Sequence, residues 1–190
     1  MRTDRDRWER RYADRGRHAL DPPSEFLQRH RGRIPPGPVL DVAAGDGRNS
    51  LYLARLGHPV DAIDIAFGAL RRLAGAARTE GLDLRVVQAD LDDFPLPRDR
   101  YAAVVNIRYL QRALFEPIKR AVRPGGLVIF ETFLIDQRFV GHPTNPDHLL
   151  QHGELSARFS DFEILCSEEG LLDTEIGATF LSRLVARRPG

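Results

Sequence analysis

Pro38-Val-Leu-Asp-Val-Ala-Ala-Gly-Asp-Gly-Arg-Asn-Ser-Leu-Tyr-Leu-Ala54 is the stretch that decides the fold. A short apolar run ends in Asp41, a turn of small residues holds Gly45 and Gly47, and a helical pattern follows. Glycine has no Cβ, so backbone amides in such a turn can approach a ligand closely. A strand, a glycine turn and a helix N-terminus make a nucleotide site when the unit sits in an open α/β sheet.

Outward from this turn the hydrophobic period alternates. Strands are predicted at Val39 to Val42, Val60 to Ile65, Leu84 to Gln88, Ala102 to Ile107 and Leu127 to Phe133. Helices are predicted at Arg48 to Arg55 and Phe67 to Thr79, a connector at Asp92 to Arg100, and a helix at Gln111 to Arg123 stopped by Pro124-Gly125-Gly126. Continuous apolar strands separated by helices imply parallel pairing with right-handed crossovers. Upstream, residues 1–36 read as a helical cap: Asp4 to Tyr12 carries Trp8 and Tyr12 on one face, and Ser24 caps a short helix around Glu25 to His30. Downstream, residues 134–155 form a long polar segment without a clean period, which suggests a substrate lid. Phe162 to Glu168 and Thr179 to Arg187 then read as an antiparallel pair at the sheet edge.

At 190 residues the expectation is a single domain. Basic and acidic residues nearly cancel, 28 against 27, so total charge favours neither a nucleic-acid nor a membrane partner. Residues 1–33 hold ten Arg against six acids, a mild basic excess. No apolar run reaches the length of a membrane span and no signal-peptide core is visible, so a soluble cytoplasmic protein is expected. Cys166 is the single cysteine, which excludes an internal disulfide and reads as an inert strand thiol.

Three acids fall at the ends of the first three strands: Asp41, Asp64 and Asp90. Ligands of open α/β sheets bind at those ends, so the acids line one crevice. The second is positioned for ribose hydroxyls and the third for an exocyclic adenine amine. A nicotinamide dinucleotide fold also has a glycine turn followed by an acid. Here, however, the turn Gly45-Asp-Gly-Arg-Asn-Ser50 lacks the third glycine, and Asp46 would repel a pyrophosphate. A cationic sulfonium cofactor, S-adenosylmethionine (SAM), fits this acidic turn better.

Asp41-Val-Ala-Ala-Gly45-Asp-Gly47 is similar to motif I of class I SAM-dependent methyltransferases. Asp64 in Ala62-Ile-Asp-Ile65 looks like their ribose-binding acid, Gln88-Ala-Asp-Leu91 like their adenine loop, and Pro124-Gly-Gly-Leu-Val-Ile129 like the turn into their fifth strand. Trp8-Glu-Arg-Arg-Tyr12, Gly47-Arg-Asn49, Tyr109-Leu-Gln-Arg112, Glu131-Thr-Phe133 and Asn145 to Leu155 resemble the tellurite-resistance (TehB-like) and thiopurine-methyltransferase-like group. The resemblance implies a Rossmann-like sandwich: a seven-stranded, mostly parallel sheet with an antiparallel edge and helices on both faces. It implies SAM as cofactor, S-adenosylhomocysteine as product, and cofactor contacts from Asp41, Ala43, Gly45, Gly47, Arg48, Asn49, Asp64, Ile65, Asp90, Leu91, Asn106 and Ile107. Two positions depart from the pattern: Ala43 replaces the first glycine of motif I, and Ala102 stands where an acid is frequent.

On the acceptor side, Glu131 at the end of the fifth strand is the candidate general base. Arg108 and Arg112 are candidates to hold an anionic acceptor, with Tyr109 between them. Trp8, Tyr12 and Asn145 are assigned to the lid. Asn106-Ile-Arg-Tyr109 shares only its ends with the Asn-Pro-Pro-Tyr motif of nucleic-acid amino-methyltransferases. His142, His148 and His152, with Asp147 and Glu154, lack a tight ligand spacing, so no metal is expected. The leading expectation is methyl transfer to a small molecule, with a thiol or a chalcogen oxyanion among the acceptors, by a monomer or homodimer. A non-catalytic SAM-binding protein, an RNA or protein methyltransferase and an NAD-binding oxidoreductase are the alternatives.

Overall fold

Apolar runs with no polar face must be covered on both sides, and here two helix layers do it. In the computed structural model, which describes residues 2–14, 21–174 and 177–190, seven strands make one sheet. They are β1 (Val39–Val42), β2 (Val60–Asp64), β3 (Leu84–Gln88), β4 (Tyr101–Ile107), β5 (Val122–Phe133), β6 (Glu163–Leu172) and β7 (Thr179–Arg187). Their order is β3-β2-β1-β4-β5-β7-β6. The first five run parallel, and β7 enters antiparallel between β5 and β6. Strand order reverses between β1 and β4, where Val42 pairs with Asn106, and the crevice outside that reversal is the ligand site of such sheets.

The helices are α1 (Arg2–Asp14), α2 (Glu25–His30), α3 (Arg48–Arg55), α4 (Phe67–Glu80), α5 (Phe115–Ala121) and α6 (Glu154–Arg158). Phe26, Leu27 and Leu53 of α2 and α3 pack with Val39, Val105 and Ile129, and Leu70 and Leu73 of α4 pack with Ala62. On the opposite face Phe115 and Ile118 of α5, with Phe159, cover Leu40, Val104, Val128 and Phe130. Helices thus cover both faces of the seven-stranded sheet, as the sequence predicts.

One boundary moves. The helix predicted to reach Arg123 begins with a 3-10 turn at Arg112–Leu114 and ends at Ala121. Val122 already pairs with Tyr101 in the sheet, and Pro124 biases the residue before it toward extended backbone. Gly126 is needed there because a Cβ would stand 2.9 Å from the carbonyl oxygen of Ala102.

Candidate functional site

The glycine turn is held from below by two buried carboxylates. Asp41 is the third of the four residues of β1, and the Ser50 hydroxyl in the first turn of α3 donates to it at 2.5 Å. Burial pushes the Asp41 carboxyl up to about 7 from its ordinary 3.8. Asp64 closes β2 and accepts the Gly45 N–H through one oxygen and the Ala66 N–H through the other, both at 2.8 Å. Burial raises its pKa as well. The acid expected to meet the ribose therefore also shapes the turn. Ala43, Gly45 and Gly47 all have positive φ, at 53, 57 and 81°. A Cβ on Gly47 would lie 2.3 Å from a Leu73 methyl. Ala43 takes this conformation at a cost of roughly 1–2 kcal/mol, the penalty the motif's usual glycine avoids.

Asp41 gives a pH-dependent prediction. The folded state keeps its proton up to about pH 7 while the unfolded chain releases it near 3.8. Its burial thus lowers stability as pH rises through that window, with no further change above it. Asp41→Asn is expected to match the wild type at about pH 4 and to exceed it by about 1–3 kcal/mol at about pH 8 in urea unfolding. A difference independent of pH would contradict the raised pKa.

Around the turn, Asp90 accepts the Asp92 N–H at 3.1 Å, Leu91 is buried beside it, and the Ile65 carbonyl accepts from Gln88 at 3.2 Å. Ile107 forms a buried wall at the end of β4. Asn106 turns inward and donates to the Tyr109 carbonyl at 2.7 Å, closing its own turn. Arg48 and Asn49 have a different job from the one expected. Arg48 donates to the Pro22 carbonyl at 2.8 Å, and Asn49 accepts the Ser24 N–H at 3.0 Å. Their side chains pin the segment before α2.

Helix α1 docks across this crevice. Ala66, at the N-cap of α4, gives no side-chain bond, and Glu9 supplies one from α1, accepting the N–H groups of Phe67 at 2.5 Å and Gly68 at 3.1 Å. Arg72 bonds the Tyr12 carbonyl at 3.2 Å and Asp46 at 2.6 Å. Trp8 and Tyr12 stack with centroids 6.0 Å apart. A Cβ on Gly45 would fall 2.3 Å from the Tyr12 hydroxyl, so Tyr12 reaches the turn and Trp8 backs it.

The acceptor side departs most from the sequence reading. Glu131 is fully buried. One of its oxygens accepts from Arg108 Nε at 3.0 Å and the other from Arg183 Nε at 2.6 Å. With both oxygens engaged by guanidinium groups it holds an ion-pair network together. The network continues from Arg183 to Glu168 at 3.4 Å and from Glu168 to Arg29 at 2.9 Å. Arg183 escaped the sequence reading, and its signal was a lone charge inside the apolar alternation Phe180-Leu-Ser-Arg-Leu-Val-Ala186. Arg108 has φ 63°, donates its N–H to the Glu131 carbonyl at 2.7 Å, and lies 4.9 Å from the Phe133 ring centre.

Arg112 was expected to bind an acceptor, and instead it clasps the lid. It forks onto Glu154 at 2.7 and 2.8 Å and reaches the carbonyls of Asp147 at 3.1 Å and Leu149 at 2.8 Å. Tyr109 donates its hydroxyl to Gln111 at 2.7 Å. Asn145 caps the short turn at Pro146–His148 by accepting the Asp147 N–H at 3.1 Å.

Residues 134–155 are not a free flap. Leu134, Leu149, Leu150 and Leu155 are all fully buried, and Leu134 bridges to Leu150. The exposed part is narrower, from Arg138 to His148, with Phe139 at its tip 73% exposed. His152 lies 2.7 Å from Asp136, apart from His142 and His148. Among the described residues no three His, Cys, Asp or Glu side chains gather as a metal site, and no helix is long and apolar enough to cross a membrane.

Residues 39–126, from β1 to the bend within β5, match the family described as a methyltransferase domain. Over those residues, a little under half of its length, the chain is similar to a methyltransferase domain. The seven-stranded, mostly parallel sheet with helices on both faces is the one the sequence implied. The chain is 38% identical over 105 residues to a demethylmenaquinone methyltransferase of Clavibacter sepedonicus, covering 50% of this chain and 40% of that protein. It is 27% identical over 99 residues to an uncharacterized methyltransferase, YodH, of Bacillus subtilis, covering 50% of this chain and 42% of that protein. The chain thus spans less than half the length of these curated relatives. Its fold is that of TehB from Haemophilus influenzae, with TM-score 0.73, 23% identity and coverage of 86% of this chain and 61% of that one. A protein solved in work on converting a disulfide bond into a thioacetal group during echinomycin biosynthesis matches along more of its length. There the TM-score is 0.75 and the identity 19%, over 97% of this chain and 92% of that one.

Proposed function

We propose that the domain transfers a methyl group from SAM to a small-molecule acceptor, as a cytoplasmic enzyme. The observation that carries this reading is the acidic crevice at the β1/β4 reversal. Asp41 and Asp64 are buried beneath the glycine turn, Asp90 lies beside it, and Asp46 sits within it. Of the guanidinium groups near the turn, Arg48 donates to the Pro22 carbonyl and Arg72 pairs with Asp46 in the turn itself. Such a site favours a cation over a pyrophosphate. A structural neighbour, geranyl diphosphate C-methyltransferase from Streptomyces coelicolor, was solved with S-adenosyl-L-homocysteine.

SAM supplies an already activated methyl group, so the protein's work is alignment and water exclusion. In this reading Asp64 accepts ribose hydroxyls while holding Gly45, Asp90 and Leu91 receive the adenine, and Tyr12 closes the turn from α1. Arg108 holds an anionic acceptor at the end of β4. Both Glu131 oxygens are engaged by guanidinium groups, which favours acceptors that need no base, such as a thiolate or a chalcogen oxyanion.

The test follows S-adenosylhomocysteine release across thiols, chalcogen oxyanions, amines and phenols. Methylation of the first two classes supports the reading. Cofactor binding with no product in any class would make this a SAM-binding module. The exposed tip gives a second test. Replacing residues 140 to 145 by a Gly-Ser linker keeps the buried Leu149 and Leu150. It is expected to lower methyl transfer about a hundredfold through misplacement of the acceptor, with SAM affinity nearly unchanged. Loss of SAM binding in a folded variant would move this segment to the cofactor side.

A further inference from the structure

Between the adenine loop and the lid lies a polar chain that no role described so far requires. The loop after β3 is drawn into a turn by Asp90, whose carbonyl accepts the N–H groups of Asp93 at 3.1 Å and Phe94 at 3.0 Å and whose carboxylate accepts that of Asp92. The Asp92 carboxylate in turn accepts from the Gln111 side-chain amide. The carbonyl end of that amide is fixed by the Tyr109 hydroxyl at 2.7 Å, so the amide nitrogen can point only toward Asp92. The next residue is Arg112, whose guanidinium grips Glu154 and the carbonyls of Asp147 and Leu149. One short segment therefore holds the adenine loop with one side chain and the lid with its neighbour.

We propose that Gln111 is a positioning residue that passes cofactor occupancy of the adenine loop to the acceptor lid. It rests on the reading that this crevice binds SAM. Adenine contacts at Asp90 and Leu91 order the turn, Asp92 then holds Gln111 in one place, and Arg112 is left in register with Glu154. The lid tip from 138 to 148 closes over an acceptor only once cofactor is present, which gives an ordered addition of the two substrates.

The experiment is hydrogen exchange of residues 138 to 148 with and without saturating S-adenosylhomocysteine, with calorimetry on the same samples. In the wild type the ligand is expected to slow exchange of this segment about tenfold or more. Gln111→Ala is expected to lose the lid response and, because the coupling is reciprocal, to bind the ligand a few-fold more weakly while still saturating. Gln111→Glu sets a carboxylate against Asp92, and a like-charged pair can share a proton only in acid. Its lid response is expected at about pH 5 and absent at about pH 8. That pH dependence separates coupling from simple loss of packing. An unchanged lid in wild-type protein that binds the ligand, or a full response in Gln111→Ala, would overturn the proposal. Absence of ligand binding to the wild type would overturn the cofactor reading beneath it.

Discussion

Glu131→Ala is expected to destabilise the protein by about 3–5 kcal/mol, the effect of breaking a buried ion pair by removing one partner. Against a typical total of about 5–15 kcal/mol that brings the fold close to unfolding. The cause is geometric: Glu131 is 0% exposed and Arg183 only 3%, and the substitution strips both Arg183 and Arg108 of this carboxylate. Glu131→Gln is expected to lose less, because its amide oxygen still accepts from one arginine. Adding Arg183→Met to Glu131→Ala should recover part of the loss, since one of the stranded charges goes with it. Urea unfolding checks all three. A general base would behave otherwise: Glu131→Gln would fold with wild-type stability and lose turnover alone.

Asp64→Ala is expected to weaken SAM binding tenfold or more. Two charge-assisted bonds to ribose hydroxyls would be lost, each worth about 1.5–3 kcal/mol. The same carboxylate holds the N–H groups of Gly45 and Ala66, so the variant also loses about 1–3 kcal/mol of stability while staying folded. Calorimetry for affinity and urea unfolding for stability separate the two effects. Unchanged affinity would remove Asp64 from the cofactor site.

The glycine turn and the strand-end acids are legible in the chain because their signals are local. Asp41, Gly45 and Gly47 lie within seven residues, and each strand-end acid follows its own apolar run. The ion-pair network around Glu131 is not, since its partners meet only through sheet order. Glu131 on β5, Arg183 on β7, Glu168 on β6 and Arg29 on α2 become neighbours because β7 inserts between β5 and β6. No spacing in the sequence announces that insertion. A charge at a strand end reads equally well as a base or as an ion-pair partner until the strand beside it is known. The polar composition of residues 134–155 suggests a lid, while the leucines at 149, 150 and 155 record that its C-terminal part belongs to the core.

In the function proposed above, the acidic turn at the β1/β4 reversal receives a cationic nucleoside cofactor. Calorimetric titration of the purified protein with SAM, S-adenosylhomocysteine and NADH tests it most directly. Saturable binding of SAM and its product with one site per chain, weakened in Asp64→Ala and with no heat from NADH, is the expected result. Binding of NADH with no binding of either SAM or S-adenosylhomocysteine would contradict it.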